Sequence, residues 1–256
     1  MISRKNVNEE HINQLFQSWW KAIIEDNSII DYSWEQLVEI RKGFEEGLTI
    51  DQINIYANPT KYNYDQMCQI RIAIVNGLSL KAISIFADPK YTAAQMAEIR
   101  YGLEDGLTIE QVKLYANPEY NDKQMRQIYT GFNNDFSINQ IKIYANPKFD
   151  YRRMCIIRQA IQTELSPEMV KILTNLEYNT GQIQEIYLGI TDGLSLDQVL
   201  IYTNPQYNPH QMSEIRWGIQ NRLTEKQIQV LADPNLDEKQ MRLIRENLSR
   251  NKSKKS

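Results

Sequence analysis

The residues best equipped for chemistry stand in a column. Arg41, Arg71, Arg100, Arg158, Arg216 and Arg245 are separated by 29 or 30 residues or by twice 29, with Tyr129 and Tyr187 in the intervening places. A guanidinium presents a planar fork of donors that suits carboxylate and phosphate groups. A ladder of such groups could bind a phosphate chain or a row of acids, and helical-repeat RNA readers do place one recognition set per repeat. The same position lies beside an apolar stripe, so each Arg could instead lay its stem on the core and bond a neighbouring unit. Nucleophilic chemistry has less to draw on. Cys68 and Cys155 are 87 residues apart, and the only candidate imidazole bases are His11 and His210. Three periods of stacked helices, each about 8–10 Å from the next, put the two thiols beyond disulfide reach. They are expected to be reduced and partly buried. The chain has no Walker loop, GxGxxG, HExxH, GxSxG or zinc-ligand spacing, and its acids form no paired constellation. The expectation is therefore a non-enzyme with no cofactor and no metal.

The elements that hold these residues read out as a repeat. A column of Leu37, Met67, Met96, Met125, Met154, Ile183, Met212 and Met241 advances by 30 and then by 29 throughout. Taking it as position 0, an N-cap type stands at −4 in every case: Ser33, Asn63, Thr92, Asn121, Asp150, Asn179, Asn208, Asp237. Gln follows three residues after the cap in all but one unit, where Arg153 replaces it. Cap and Gln form a capping box. The residue before the cap is Tyr, Phe149 or Leu236, placed to staple onto position 0. Position 3 is Ile in all eight units, and position 6 is Gly or Ala from Gly43 to Gly218. A small residue kept there implies close helix approach. Gly47, Gly77, Gly106 and Gly193 mark C-caps. A second set of caps, from Thr49 to Thr224, opens a second helix that ends at Asn-Pro or Asp-Pro in six units. Each unit predicts a helix of about 11–13 residues, a tight turn and a helix of about 8–10. Units this small must stack. The fold class is all-α: an α-solenoid of tandem helix–turn–helix repeats, seven and a half units, with an N-terminal capping helix. The division is a capping region over 1–32, an array over 33–248 with units starting near 33, 63, 92, 121, 150, 179, 208 and 237, and a disordered basic tail over 249–256. The unit starting at Asp150 is irregular, with Glu164, Leu173 and Leu176 where Gly, Tyr and Pro are usual.

Repeat scaffolds hold packing positions uniform, so the positions that vary are candidates for partner contact. Positions 1 and 5 form one i, i+4 ridge. Ile72, Tyr101, Leu188 and Trp217 lie on it and would place apolar and aromatic groups at a surface, unless the neighbouring helix covers them. Residues 9–25 carry Trp19 and Trp20 on a wide apolar face, which either covers the first repeat or anchors a partner or a second copy. The Tyr or Phe of the second helix (Tyr56, Phe86, Tyr115, Tyr144, Tyr202) reads as core.

Net charge is −3, and the last seven residues hold Arg250, Lys252, Lys254 and Lys255, which leaves a body near −7. A duplex-binding protein usually shows a basic footprint, which this body lacks. No 18-residue apolar run and no apolar leader are present, so the expectation is a cytoplasmic protein without a membrane span.

The unit from Thr92, TAAQMAEIRYGLEDGLTIEQVKLYANPEY, resembles the short QM-x-x-IR-x-G-[LI]-x-x-GL repeats of accessory proteins from Firmicutes phages and conjugative elements. The resemblance covers about 210 residues. It implies a mobile-element protein that acts by binding, against a host defence system among other targets. Two functions remain in view: a scaffold for a protein partner, and a binder of nucleic acid or nucleotide phosphate along Arg41, Arg71, Arg100, Arg158, Arg216 and Arg245.

Overall fold

The computed structural model describes residues 9–25 and 31–253. Among them the chain forms sixteen α-helices and no strand. After α1 (Glu9–Glu25), long and short helices alternate. The long ones are α2 (Trp34–Glu45), α4 (Tyr64–Val75), α6 (Ala93–Glu104), α8 (Asp122–Asn133), α10 (Tyr151–Gln162), α12 (Thr180–Thr191) and α14 (Pro209–Gln220), each of 12 residues, and then α16 (Glu238–Ser253). The short ones are α3 (Ile50–Asn54), α5 (Leu80–Ile83), α7 (Ile109–Lys113), α9 (Ile138–Tyr144), α11 (Pro167–Leu173), α13 (Leu196–Leu200) and α15 (Glu225–Leu231). The chain divides into two compact units, one ending at Ile138 and the other beginning at Asn139. In the first, α1, α2, α4, α6 and α8 pack in sequence, with α3, α5 and α7 each on its own long helix. In the second, α10, α12, α14 and α16 do the same, with α11, α13 and α15 packed alongside.

The long helices follow from their caps. Each from α2 to α14 starts at the expected residue, whose side chain accepts the N–H three residues on. Position 0 from Met67 onward and position 3 from Ile40 to Ile215 are fully buried. Each long helix from α2 to α14 is closed by one left-handed residue. Glycine holds it in four hairpins (φ 80–87°), but Asp135, Glu164 and Arg222 hold the same conformation at φ 55–60°. Glu164 is thus a costlier occupant of a common turn rather than a new feature. Leu48 N–H then reaches back to Gly43 O at 2.9 Å, and its counterparts do likewise.

The short helices are 4–7 residues rather than the expected 8–10. Their last turn tightens: Leu114 and Tyr115 N–H bond to the carbonyls three residues back, Gln111 and Val112, both at 3.1 Å. The tightening aims Tyr115 at the facing long helix. Its buried hydroxyl, kept protonated because burial pushes its pKa far up, sits 3.4 Å from Glu98 O. At the other end, α16 carries helix through Ser253, into the segment expected to be disordered. No Gly or Pro follows Met241 to stop it. Residues 254–256 lie outside the described part.

The small residue at position 6 now has a named cause. A Cβ on Gly102 would lie 1.9 Å from Tyr115 Oη, on Gly189 1.9 Å from Tyr202 Oη, and on Gly43 2.1 Å from Tyr56 Oη. Opposite Phe86 and Leu173, which have no hydroxyl, position 6 is Ala73 or Ala160, whereas at Gly218 a Cβ would lie 2.8 Å from Leu231 Cδ2. Gly102→Ala should therefore cost about 1–3 kcal/mol by overpacking, despite the better helix propensity of Ala. Gly102→Ala with Tyr115→Phe should recover most of that in urea unfolding. A double variant no more stable than the single one would refute the pairing.

Candidate functional site

The Arg column is mostly occupied by the chain's own acids. Arg71 is buried, its Nε 3.0 Å from Glu39 and its Nη1 on Glu46. Arg216 is buried, with Nε and Nη2 3.1 and 3.0 Å from Glu185 and Nη1 3.1 Å from Asp192. Arg245 bonds Glu214 at 2.7 Å. In each case the acid stands at position 2 of the preceding repeat, and position 9 supplies the second acid to Arg71 and Arg216. Arg100 faces amides there instead. It takes Gln69 at 3.2 Å and its own Glu104 at 2.6 Å, while Asn76 donates to Glu104 at 2.8 Å. Arg41, at the start, is half-exposed and bonds Glu45 at 2.9 Å, with Glu9 of α1 at 3.9 Å. Arg158 is half-buried, 3.8 Å from Cys155 Sγ. A phosphate would have to displace carboxylates from Arg71 and Arg216, since a guanidinium already forked onto two acids has little left to give.

The acid column at position 2 was missed in the sequence, although it leaves a signal. Where Tyr187 replaces Arg, the position-2 residue before it is Ile156, so acid and base leave together. Where Tyr129 replaces Arg, Glu98 remains and is bonded by Arg126, from position 1, at 3.1 Å.

The variable ridge divides. Ile72 and Leu188 are half-buried, whereas Tyr101 and Trp217 are 39% and 38% exposed. Both aromatics are braced by cations. Arg100 Cζ lies 4.5 Å from the Tyr101 ring centre, and Arg216 and Arg245 lie 5.8 and 5.4 Å from that of Trp217. Each also has an exposed arginine in the next repeat held by a buried glutamate: Arg126 on Glu98, and Arg242 on Glu214 at 3.1 Å. The same four parts thus occur once in each compact unit: a surface aromatic, an arginine behind it, a buried glutamate and an exposed arginine. Sequence reading also missed an aliphatic column on the short helices, exposed at Ile143, Ile201 and Val230.

The two N-terminal tryptophans separate. Trp19 is 2% exposed, donates its indole N–H to Asn54 at 3.1 Å and packs against Phe16, Tyr32 and Phe44, so it is core between α1 and the first hairpin and unavailable to a partner. Its polar edge could be buried because Asn54 receives it. Trp20 is half-buried against Tyr32. Both cysteines are free thiols, and burial pushes Cys68 up, away from the thiolate. No helix among the described residues is long and apolar enough to cross a membrane. The chain matches no protein-family model, no curated protein and no solved structure.

Burial pushes Glu39 up, yet Lys42 and Arg71 hold it below its ordinary 4.5. A carboxyl lowered on folding contributes stability that is present above the unfolded pKa and lost as pH falls through the folded one. Glu39→Gln should lower the urea midpoint at pH 7, and its gap from wild type should narrow as pH falls below the ordinary 4.5 and through the lowered folded value. A gap that stays constant through that window would show that the Arg71–Glu39 pairing carries no linked stability.

Proposed function

We propose that the chain is a non-enzymatic α-solenoid of seven and a half helix–turn–helix repeats, capped by α1, whose function is to bind a protein partner. The observation that carries this reading is the four-part arrangement around Tyr101 and Trp217. Tyr, Trp and Arg dominate the energetics of protein interfaces, and they do so best when held rigid before binding. Here the rings rest on guanidiniums that are themselves fixed by acids, and Arg126 and Arg242 keep side chains 61% and 58% exposed while one end is tied. Such groups lose little freedom on contact. They offer an aromatic face beside a cation, which fits a partner segment with acidic or carbonyl acceptors next to an apolar side chain. Ile72 and Leu188 extend each patch at its half-buried edge.

The same positions speak against nucleic acid as the main ligand. Phosphate binding draws on free cations, and the buried arginines here are spent on carboxylates. That the partner is a component of host defence, met in the cytoplasm by a mobile-element protein, rests on the repeat resemblance alone and is proposed on that basis.

Tyr101→Ala with Trp217→Ala should leave the Tm within about 2 °C of wild type, because surface substitutions change stability little. It should abolish stoichiometric co-purification of a protein partner from a bacterial host expressing the tagged chain. Unchanged co-purification would move the interface elsewhere. Steeply salt-dependent binding of an oligonucleotide by both forms would favour the phosphate reading.

A further inference from the structure

The Arg ladder is broken at Tyr129 in a way that leaves work for an outside group. In the complete rungs one guanidinium bridges two acids of the preceding repeat: Glu39 and Glu46 for Arg71, Glu185 and Asp192 for Arg216. The rung before Tyr129 keeps both acids, Glu98 and Asp105, but has no arginine at that position to join them. Arg126 serves Oε1 of Glu98. Oε2 of Glu98, on a residue 3% exposed, is buried and accepts no hydrogen bond among the described residues. It is the counterpart of the oxygen that takes the arginine Nε in Glu39, Glu185 and Glu214. The rung of Glu214 shows the completed form: Arg242 on Oε1 and Arg245 on Oε2. Asp105 receives the Tyr129 hydroxyl and, at 3.3 Å, the Asn133 amide. One carboxylate of Glu98 and Asp105 is thus left without a cation, and a buried acceptor without a donor is costly. At the other Tyr, the acid itself is gone, as Ile156.

We propose that Glu98 and Asp105 form a receptor for one arginine side chain of the protein partner, which enters beside Tyr129 and bridges the two acids as an in-chain arginine does in the other rungs. This rests on the protein-binding reading above. Tyr129 is half-exposed and its hydroxyl is held only by side-chain contacts, so the ring can turn outward and leave Asp105 to the guanidinium. The neighbouring Tyr101 and the exposed Arg126 would border the entering side chain, which joins the receptor to the proposed patch. A fork-shaped cation is preferred over a lysine, because the two acids are placed for separate edges of one guanidinium.

The full chain, labelled at tyrosine, is titrated with Nα-acetyl-arginine amide and followed by NMR. Saturable shifts at Tyr129 are expected, at least about tenfold weaker with the neutral citrulline amide. Tyr129→Arg supplies the missing rung from within, so it should raise the Tm by roughly 2–4 °C, abolish the response and weaken partner capture at least tenfold. No saturable shift at Tyr129, an equal response to citrulline, or an unaltered response in the variant overturns the receptor. If arginine amide binds as expected but the variant captures its partner as wild type does, the partner's use of the receptor is overturned while the scaffold reading stands. Loss of capture in the Tyr101 and Trp217 variant is a separate readout, so the two readings can fail independently.

Discussion

The constraint on which the rest depends is the backbone of the loop between hairpins, which lies under the preceding long helix and must find hydrogen bonds away from water. One buried glutamine meets that need in repeat after repeat. Gln95 Oε1 accepts the N–H of its cap, Thr92, at 2.8 Å, while its Nε2 donates to Pro118 O at 3.2 Å and Tyr120 O at 2.5 Å. Gln36, Gln66, Gln182 and Gln211 do the same one repeat along. A primary amide is the one side chain with an acceptor and a two-proton donor on the same short stem. The residue that caps a helix is thereby the residue that docks the next loop, so local structure and stacking are fixed by one group. Five of the residues before the caps (Tyr32, Tyr62, Tyr91, Tyr178 and Tyr207) close the same loop from the other side, as when Tyr91 donates to Ala116 O at 2.7 Å.

The one departure obeys the constraint by other means. Arg153 replaces Gln, and the loop it serves has Leu176 in place of proline. Its guanidinium takes Leu173 O at 3.1 and 3.0 Å, Tyr178 O at 2.9 Å and Asn175 O. Arginine can donate to more carbonyls than an amide can, but it has no acceptor, so α10 has a cap without the reciprocal bond. Burial lowers the Arg153 pKa and Asp150 opposes that. The irregular repeat is therefore an alternative solution to one packing problem, and no binding feature need be invoked for it.

What the sequence made legible follows from how its columns are read. Caps, the apolar stripe and the length of the long helices come from residues within one column or one turn, and these agree with the structure from Ser33 to Met241. What escaped was pairing between columns. The Gly at position 6 was understood as close approach, but its partner Tyr, thirteen residues further on and two before the Asn of the Asn-Pro turn, shows itself only when the Ala73–Phe86 and Ala160–Leu173 pairs are set beside it. The acid at position 2 was passed over because a charge on a helix reads as solvent-facing when taken alone, whereas Glu39, Glu98 and Glu214 are buried. The short helices were drawn too long because propensity does not register the tightened last turn that points Tyr115 at Gly102. The tail from Ser249 was read from its charge alone, which carries no signal to stop a helix.

These couplings bear on function through rigidity. A buried ion pair is a weak source of net stability, since desolvation cancels much of the attraction, but a mispaired one is expensive. A ladder of Arg–acid pairs between successive repeats therefore penalises any slip of one helix against the next more than it strengthens the correct register. Register is what an extended binding surface needs, because its contacts come from different repeats. Tyr101 and Trp217 gain from the same arrangement: behind Trp217, Arg216 is held by Glu185 and Arg245 by the buried Glu214 of the repeat before, and behind Tyr101, Arg100 is held by Gln69 of the repeat before and by its own Glu104. Recurrent positions thus set the places of the ones that do not recur. The rung at Glu98 and Asp105 differs from the others in keeping its acids while losing its arginine, so the penalty for mispairing persists there inside the folded chain. In a ladder that elsewhere removes the acid when it removes the base, that retained charge is the feature stability alone does not explain, and Glu98 lies against Arg126, part of the surface proposed above to meet a partner.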